Sequence, residues 1–180
     1  MFINIITPCS RPENLEEIYK SINIPIQNYR WIVVFDKDNL PTDLPPTVEP
    51  HLHRHPDSKV GNAQRNYGLD LVDTGWILFL DDDTILHPHF WKNIKDLNDD
   101  LIHFGQQDKD GNLRLTGARL MVEHTDVGCY LINKNIVKDH KFPLKVYQSD
   151  GIFAMLVQEE TTSIKYIPKV LSVYNALKYE

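Results

Sequence analysis

Short apolar runs recur along the first half of the sequence, and each stops abruptly at polar or acidic residues. Phe2 to Ile6 ends in Thr7-Pro8, and Ser10-x-x-Glu13 then has the form of a helix capping box ahead of Leu15, Ile18 and Ile22. That order predicts strand, loop and helix. Trp31 to Phe35 (WIVVF) is too short for a typical helix and rich in β-branched residues, so it reads as a buried strand ending at Asp36. Prolines at 41, 45, 46, 50 and 56 exclude a long helix over 36–60 and leave a loop, with room for a strand around Leu52. Ala63, Tyr67 and Leu71, spaced by four, predict a helix over 62–72 that Gly75 ends, with Gln64, Arg65 and Asn66 on its other face.

Trp76 to Leu80 (WILFL) is the most apolar short run and breaks into Asp81-Asp82-Asp83, so a central strand delivers acid at its C-terminal tip. Phe90, Trp91, Ile94 and Leu97 then predict a helix, and three strand and helix alternations imply a parallel sheet. The second half is less regular. Leu101 to Phe104, Leu113 to Thr116 and Cys129 to Ile132 read as strands, with Asp110-Gly111-Asn112 as a hairpin turn. Residues 149–160 read as a helix, and Ile164 to Ile167 and Val170 to Tyr174 as two closing strands. The predicted fold class is α/β, with a mostly parallel central sheet, helices on both faces and a mixed C-terminal part.

Composition narrows the function. At 180 residues, 42% hydrophobic and 24% charged, the chain is an ordinary folded domain that buries roughly 70% of its unfolded surface. Its formal charge of -6 argues against wrapping nucleic acid or docking on anionic lipid. Cys9 and Cys129 lie far apart and lack metal-ligand spacing, which suggests neither a disulfide framework nor a zinc site. Met1 to Ile6 lacks the form of a signal peptide, and no apolar run approaches the ~20 residues of a membrane span. A soluble, cytoplasmic protein is expected.

The three aspartates carry the clearest chemical signal. Adjacent carboxylates at the end of a buried strand repel one another unless a cation or hydrogen-bond donors occupy the site. Hard oxygen ligands suit manganese or magnesium, and such an ion in contact with a diphosphate stabilises the charge that develops as the diphosphate leaves. The competing reading is a solvated acidic turn. Arg65 and Asn66 precede this strand and can reach the same sheet end, where a guanidinium grips phosphate oxygens bidentately. His51, His53 and His55 alternate as if on one strand face, but no further ligands accompany them and proline flanks the run. Asp108 to Asn112 resembles a calcium loop, yet its glycine comes too early and the terminal glutamate is missing, so it reads as a turn.

Thr7-Pro8 with Arg11, Asp36 after WIVVF, GNAQRNYGL at 61–69 and LFLDDDT at 78–84 together resemble the GT-A glycosyltransferases, in order and in spacing. The pattern is similar to the family-2-like enzymes, and within them to the animal glucuronosyltransferases. The resemblance implies a Rossmann-like GT-A domain over 1–180, with a nucleotide-binding half at 1–100 and an acceptor-side half at 101–180. It implies a nucleoside-diphosphate sugar as donor, by analogy a UDP-sugar, a glycan or other hydroxyl as acceptor, and Mn2+ or Mg2+ as cofactor. Thr7 and Pro8 would line the nucleotide pocket with Arg11, and Asp36 would read the base. Arg65, with Asn66 beside it, would contact the diphosphate or order the aspartates. Asp81 to Asp83 would form the DXD motif, with Asp83 and Asp81 on the metal and Asp82 towards the ribose. Asp126 falls in the segment that lines the donor sugar and acceptor side.

Inverting transfer needs a carboxylate near the acceptor hydroxyl. Asp150, in Gln148-Ser149-Asp150 at a predicted helix start, is the candidate base, with a helix N-cap as the alternative. The chain departs from the glucuronosyltransferase pattern where their catalytic glutamate aligns with Gln148. A second departure is Val173-Tyr174-Asn175, where many relatives place a histidine. Two rivals stay open: a haloacid-dehalogenase-like phosphohydrolase, whose Asp-x-Asp also follows an apolar strand, and a non-catalytic module binding sugar nucleotides or glycans.

Overall fold

The apolar runs of the first half become β1 (Ile3–Cys9), β2 (Tyr29–Phe35), β3 (Val48–Leu52) and β4 (Trp76–Phe79), laid side by side in the order β3-β2-β1-β4 and all parallel. The computed structural model describes residues 1–56, 58, 61–118 and 120–177. Trp31 to Phe35 is buried throughout, as expected of a strand covered on both faces. Helix α1 (Leu15–Ser21) connects β1 to β2, and α2 (Asn62–Asp70) connects β3 to β4. The two crossovers travel in opposite directions along the sheet, and right-handed connections therefore place the helices on opposite faces. The direction reverses between β1 and β4, where ligands bind in open α/β sheets.

Beyond β4 come β5 (Ile85–Leu86), α3 (Phe90–Ile94), β6 (Leu101–Asp108), β7 (Leu113–Thr116), β8 (Tyr130–Asn133), α4 (Lys134–Val137), α5 (Ser149–Gln158) and β9 (Ile164–Tyr174). The sheet continues from β4 as β8-β6-β9-β5, with β7 paired to β6. Strand β8 is antiparallel to both β4 and β6, and β6 runs parallel to β9. The C-terminal ends of β1, β2, β4, β6 and β9 and the start of β8 consequently gather at one edge of the molecule. Among the described residues, no helix is long and apolar enough to cross a membrane.

Several expectations change in detail. Ser10 forms no capping box: its hydroxyl donates to Asp82, and the helix opens instead with a 3-10 turn at Pro12–Asn14. The strand near Leu52 forms, pairing with β2 from Val48 onwards. Gly75 does not end α2, which stops at Asp70. With φ of 90° it instead opens β4, where a Cβ would lie 2.9 Å from the Phe2 carbonyl oxygen. The two closing strands are one, because Phe104 pairs with Ile167 and Gly105 with Val170, leaving Pro168-Lys169 as a bulge that tolerates proline. The turn at Asp110-Gly111-Asn112 forms, with Asp108 Oδ1 accepting the backbone amides of Asp110 and Asn112 at 2.9 Å.

His103 on β6 is buried against Cys129, whose Sγ lies 3.4 Å from Nε2, and its Nδ1 has no hydrogen-bond partner among the described residues. Burial pushes this imidazole down to about 4. The unfolded chain therefore binds a proton that the folded chain refuses. Stability is lost as pH falls from about 6.5 to about 4, by up to about 3 kcal/mol. His103→Leu removes this term, so the stability difference between variant and wild type, from denaturant titrations at pH 8 and pH 4, should shift by that amount in the variant's favour at pH 4. A pH-independent difference would refute the assignment.

Candidate active site

The gathered strand ends enclose an open cleft of about 880 Å³. Its floor is the acidic triplet, and two arginines organise it. Asp82 is buried, and its Oδ2 accepts the backbone amides of Ser10 (2.7 Å) and Arg11 (2.8 Å) and the Ser10 hydroxyl (3.0 Å). Its Oδ1 accepts Arg11 Nε at 2.9 Å, and Arg11 Nη2 bridges Asp82 and Asp83, 2.9 Å from Asp83 Oδ2. Asn14 Nδ2 donates to the Asp82 carbonyl at 2.8 Å. The loop after β1 is thus closed onto the loop after β4 by charge-assisted hydrogen bonds, the strong class.

Arg65 is the second organiser. It rises from α2, whose N-cap Gly61 has φ of 76° and packs so near Pro8 that a Cβ would lie 2.7 Å from the proline ring. The buried guanidinium donates to Asp81 Oδ1 at 2.6 Å and to Asn62 Oδ1 at 3.0 Å, and stands 3.7 Å from Asp150 Oδ1. One arginine thereby aligns a carboxylate of the loop after β4 with a carboxylate of α5. Asp81 keeps a quarter of its side chain exposed, yet burial pushes it up to about 7 against the pull of Arg65, helped by Asp126 and Asp150. Burial raises Asp150 as well, opposed by Arg65 and reinforced by Asp126, and raises Asp83 against Arg11.

Asp126 closes the far side. It accepts Gly128 N (2.9 Å), Gln106 Nε2 (3.1 Å) and Arg114 Nη1 (2.8 Å), so both oxygens are engaged. The Arg114 guanidinium lies 3.9 Å over the Tyr174 ring. Asp150 is more lightly held: Ser149 Oγ is 3.4 Å away and the Val127 backbone amide also bonds it. It sits in the first turn of α5 rather than at the N-cap, which is Gln148 and makes no side-chain cap bond. The capping alternative for Asp150 is therefore set aside.

Of the residues expected at the site, Pro8, Arg11, Asp36, Arg65, Asp81, Asp82, Asp83, Asp126 and Asp150 line this cleft. Thr7 does not: its hydroxyl is buried and accepts Trp31 Nε1 at 2.9 Å. Asn66 does not either, because it lies about 100° around the helix from Arg65 and its side chain bonds the Phe142 backbone at 2.8 and 2.9 Å. Asp82 does line the cleft, but both its oxygens serve the Ser10-Arg11 loop, which displaces the ribose role. Among the three histidines, His51 bonds Glu49 at 2.9 Å and His53 stacks on Tyr67. Sequence reading missed Arg114, Tyr174 and Gln64. Arg114 sits in no motif, and only the β6-β7 hairpin brings it to Asp126.

No family model matches this sequence, and no curated protein matches it. Solved structures do. The crystal structure of S. aureus TarS 1-349 superposes with a TM-score of 0.75 at 17% identity, over 97% of this chain and 60% of that one. TarS in complex with UDP-GlcNAc superposes at 0.71, with 15% identity, over 100% and 62%. The mannosyltransferase PcManGT from Pyrobaculum calidifontis, in complex with GDP-Man and Mn2+, superposes at 0.70, with 14% identity, over 98% and 57%. At these identities the likeness establishes the fold alone: a mixed α/β, mostly parallel sheet shared with these proteins, as the sequence pattern implied. The chain spans about three fifths of the length of the TarS 1-349 chain and 36% of the longer TarS chain.

Proposed function

We propose that this chain transfers a sugar from a nucleoside-diphosphate sugar to an acceptor hydroxyl, by direct displacement with inversion. The observation that carries the reading is charge: among the described residues, seven carboxylates and four guanidinium groups line the cleft. All four of those guanidiniums already pair with aspartates. A cleft this acidic repels a bare diphosphate and accepts one accompanied by a divalent cation. Neighbours solved with UDP-GlcNAc and with GDP-Man and Mn2+ share the fold and support the same class of donor.

Asp83 and Asp81 are the residues that would hold the ion. Their hard oxygens suit Mn2+ or Mg2+, and among the described residues no group of three or more candidate ligands surrounds them. That donor set fits an ion held by one or two carboxylates whose other ligands come from phosphates and water. The bound ion supplies charge neutralisation on the departing diphosphate. Arg65 keeps Asp81 oriented rather than reaching the phosphates, since its guanidinium is buried and engaged. Asp36, at the end of β2, and Pro8 face the nucleoside, whose base is uracil by analogy with the motif resemblance.

On the acceptor side, Asp150 is the base. It accepts the hydroxyl proton as the acceptor oxygen bonds the anomeric carbon. The bond from that carbon to the diphosphate oxygen breaks on the opposite face, with its electron pair leaving on the diphosphate. The raised affinity of Asp150 for a proton suits this task. Asp126, saturated by three donors, instead shapes the wall.

Calorimetric titration with UDP, GDP and their sugars, with and without Mn2+, tests the reading. One nucleotide should bind in a manganese-dependent way, and Asp83→Ala should remove that dependence. Binding of none of them, or binding indifferent to the ion, refutes it.

A further inference from the structure

Tyr147 is three-quarters exposed, at 76%, and makes no hydrogen bond or ring contact with any described residue, yet it lines the cleft three residues before Asp150. A single exposed aromatic needs no explanation. This one has company. Val146 beside it is exposed, as are Met121 and Val122 on the facing loop. That loop is pressed onto the first turn of α5: a Cβ on Gly151 would lie 2.2 Å from the Val122 carbonyl oxygen and 2.5 Å from its Cα. Val122 also lines the cleft. Val122 and Tyr147 therefore both line the cleft beside the first turn of α5, which carries the candidate base.

The polar groups around this mouth have a definite character. Glu123, Thr125 and Gln148 line it with Asp150, offering hydrogen-bond acceptors and one amide donor. Arg65 and Arg114, which line the cleft with them, are already bonded to Asp81 and Asp126. Among the described residues, each guanidinium that lines the cleft is paired with an aspartate, so an acceptor carrying phosphate or carboxylate would meet carboxylates here. A neutral pyranose fits, because its axial C–H face is apolar and its rim of hydroxyls seeks acceptors. Aromatic faces supply large contact at low conformational cost.

We propose that Tyr147, with Val122 beside it, is the platform for the acceptor, and that the acceptor is a neutral glycan whose terminal pyranose stacks on this ring with a hydroxyl directed at Asp150. The assignment rests on the glycosyl-transfer reading and extends it by naming the acceptor class. Tyr147 would then set acceptor affinity without touching the donor.

Saturation-transfer NMR with a panel of neutral pyranosides, and with glycerol phosphate as the anionic comparison, tests this on the whole chain loaded with nucleotide and Mn2+. At least one neutral pyranoside should bind through its axial C–H face, and glycerol phosphate should not. Tyr147→Ala should weaken that binding about tenfold, whereas Tyr147→Phe should retain it. Calorimetric nucleotide binding should be the same in all three proteins. Failure of wild type to bind nucleotide strikes the glycosyl-transfer reading. Normal nucleotide binding with equal pyranoside affinity in Tyr147→Ala, preference for glycerol phosphate, or no pyranoside binding overturns the platform alone.

Discussion

Asp150→Asn should lower turnover by about 10²–10⁴-fold while leaving nucleotide affinity within about twofold of wild type. The asymmetry follows from how the side chain is held. Its contacts are a 3.4 Å hydrogen bond from Ser149, the Val127 amide and the Arg65 guanidinium at 3.7 Å. Asparagine fills the same volume and can keep part of that set, so the fold and the nucleotide side should survive. What it cannot do is accept the acceptor's proton. Asp126 is a poor substitute, since Arg114, Gln106 and Gly128 occupy its oxygens. Steady-state kinetics beside nucleotide titration decide the matter. Wild-type turnover in the variant would remove Asp150 from the mechanism, and a parallel loss of nucleotide affinity would move it to the donor side.

Arg65→Met should cost about 3–5 kcal/mol of stability at pH 8, the range found when one partner of a buried ion pair is removed. The guanidinium is 3% exposed and stands between Asp81 and Asp150. Methionine fills part of the space against the Phe142 ring, 5.6 Å from the guanidinium carbon, but leaves two carboxylates, each about three-quarters buried, facing each other without their cation. Both are already pushed towards protonation by burial, Asp81 up to about 7. The sign of the pH effect follows. These carboxylates bind protons more readily in the folded chain than in the unfolded one, so stability returns as pH falls through their folded-state pKa values. Denaturant titrations at pH 8 and pH 5.5, without added metal, should therefore show the variant's deficit shrinking at the lower pH. A deficit independent of pH would mean that lost packing, not unpaired charge, accounts for it.

Much of this architecture was legible in the residues. WIVVF and WILFL are short, continuous and apolar, and a segment of that kind has few ways to be buried other than as a central strand. Asp36 and the Asp81 to Asp83 triplet follow those runs directly, so their place at the strand ends needed no tertiary information. The order of strands and helices then fixed which end of the sheet carries the acid. Pattern reading did less well where one residue had two possible partners. Local spacing allows Ser10 to cap a helix, but Asp82, 72 positions away, offers a charged acceptor to its amide and hydroxyl together. Ile164 to Tyr174 was divided at Pro168 because proline interrupts a ladder, and only the partner β6 reveals that a bulge absorbs it.

Local order therefore determined the class of fold, the acidic strand tips and the residues from which a site could be built, because periodicity and apolar run length act over a few residues and dominate secondary structure. Tertiary structure alone decided how those residues divide the work. It turned Thr7 into the core towards Trp31, tied Asn66 to Phe142, gave Asp82 to the Ser10-Arg11 loop and brought Arg114 to Asp126. Each of these outcomes is a choice among hydrogen-bond partners distant in sequence. Such choices are made by the geometry of the packed sheet, in which most buried charges and donors find a partner, and no local pattern records which one it will be.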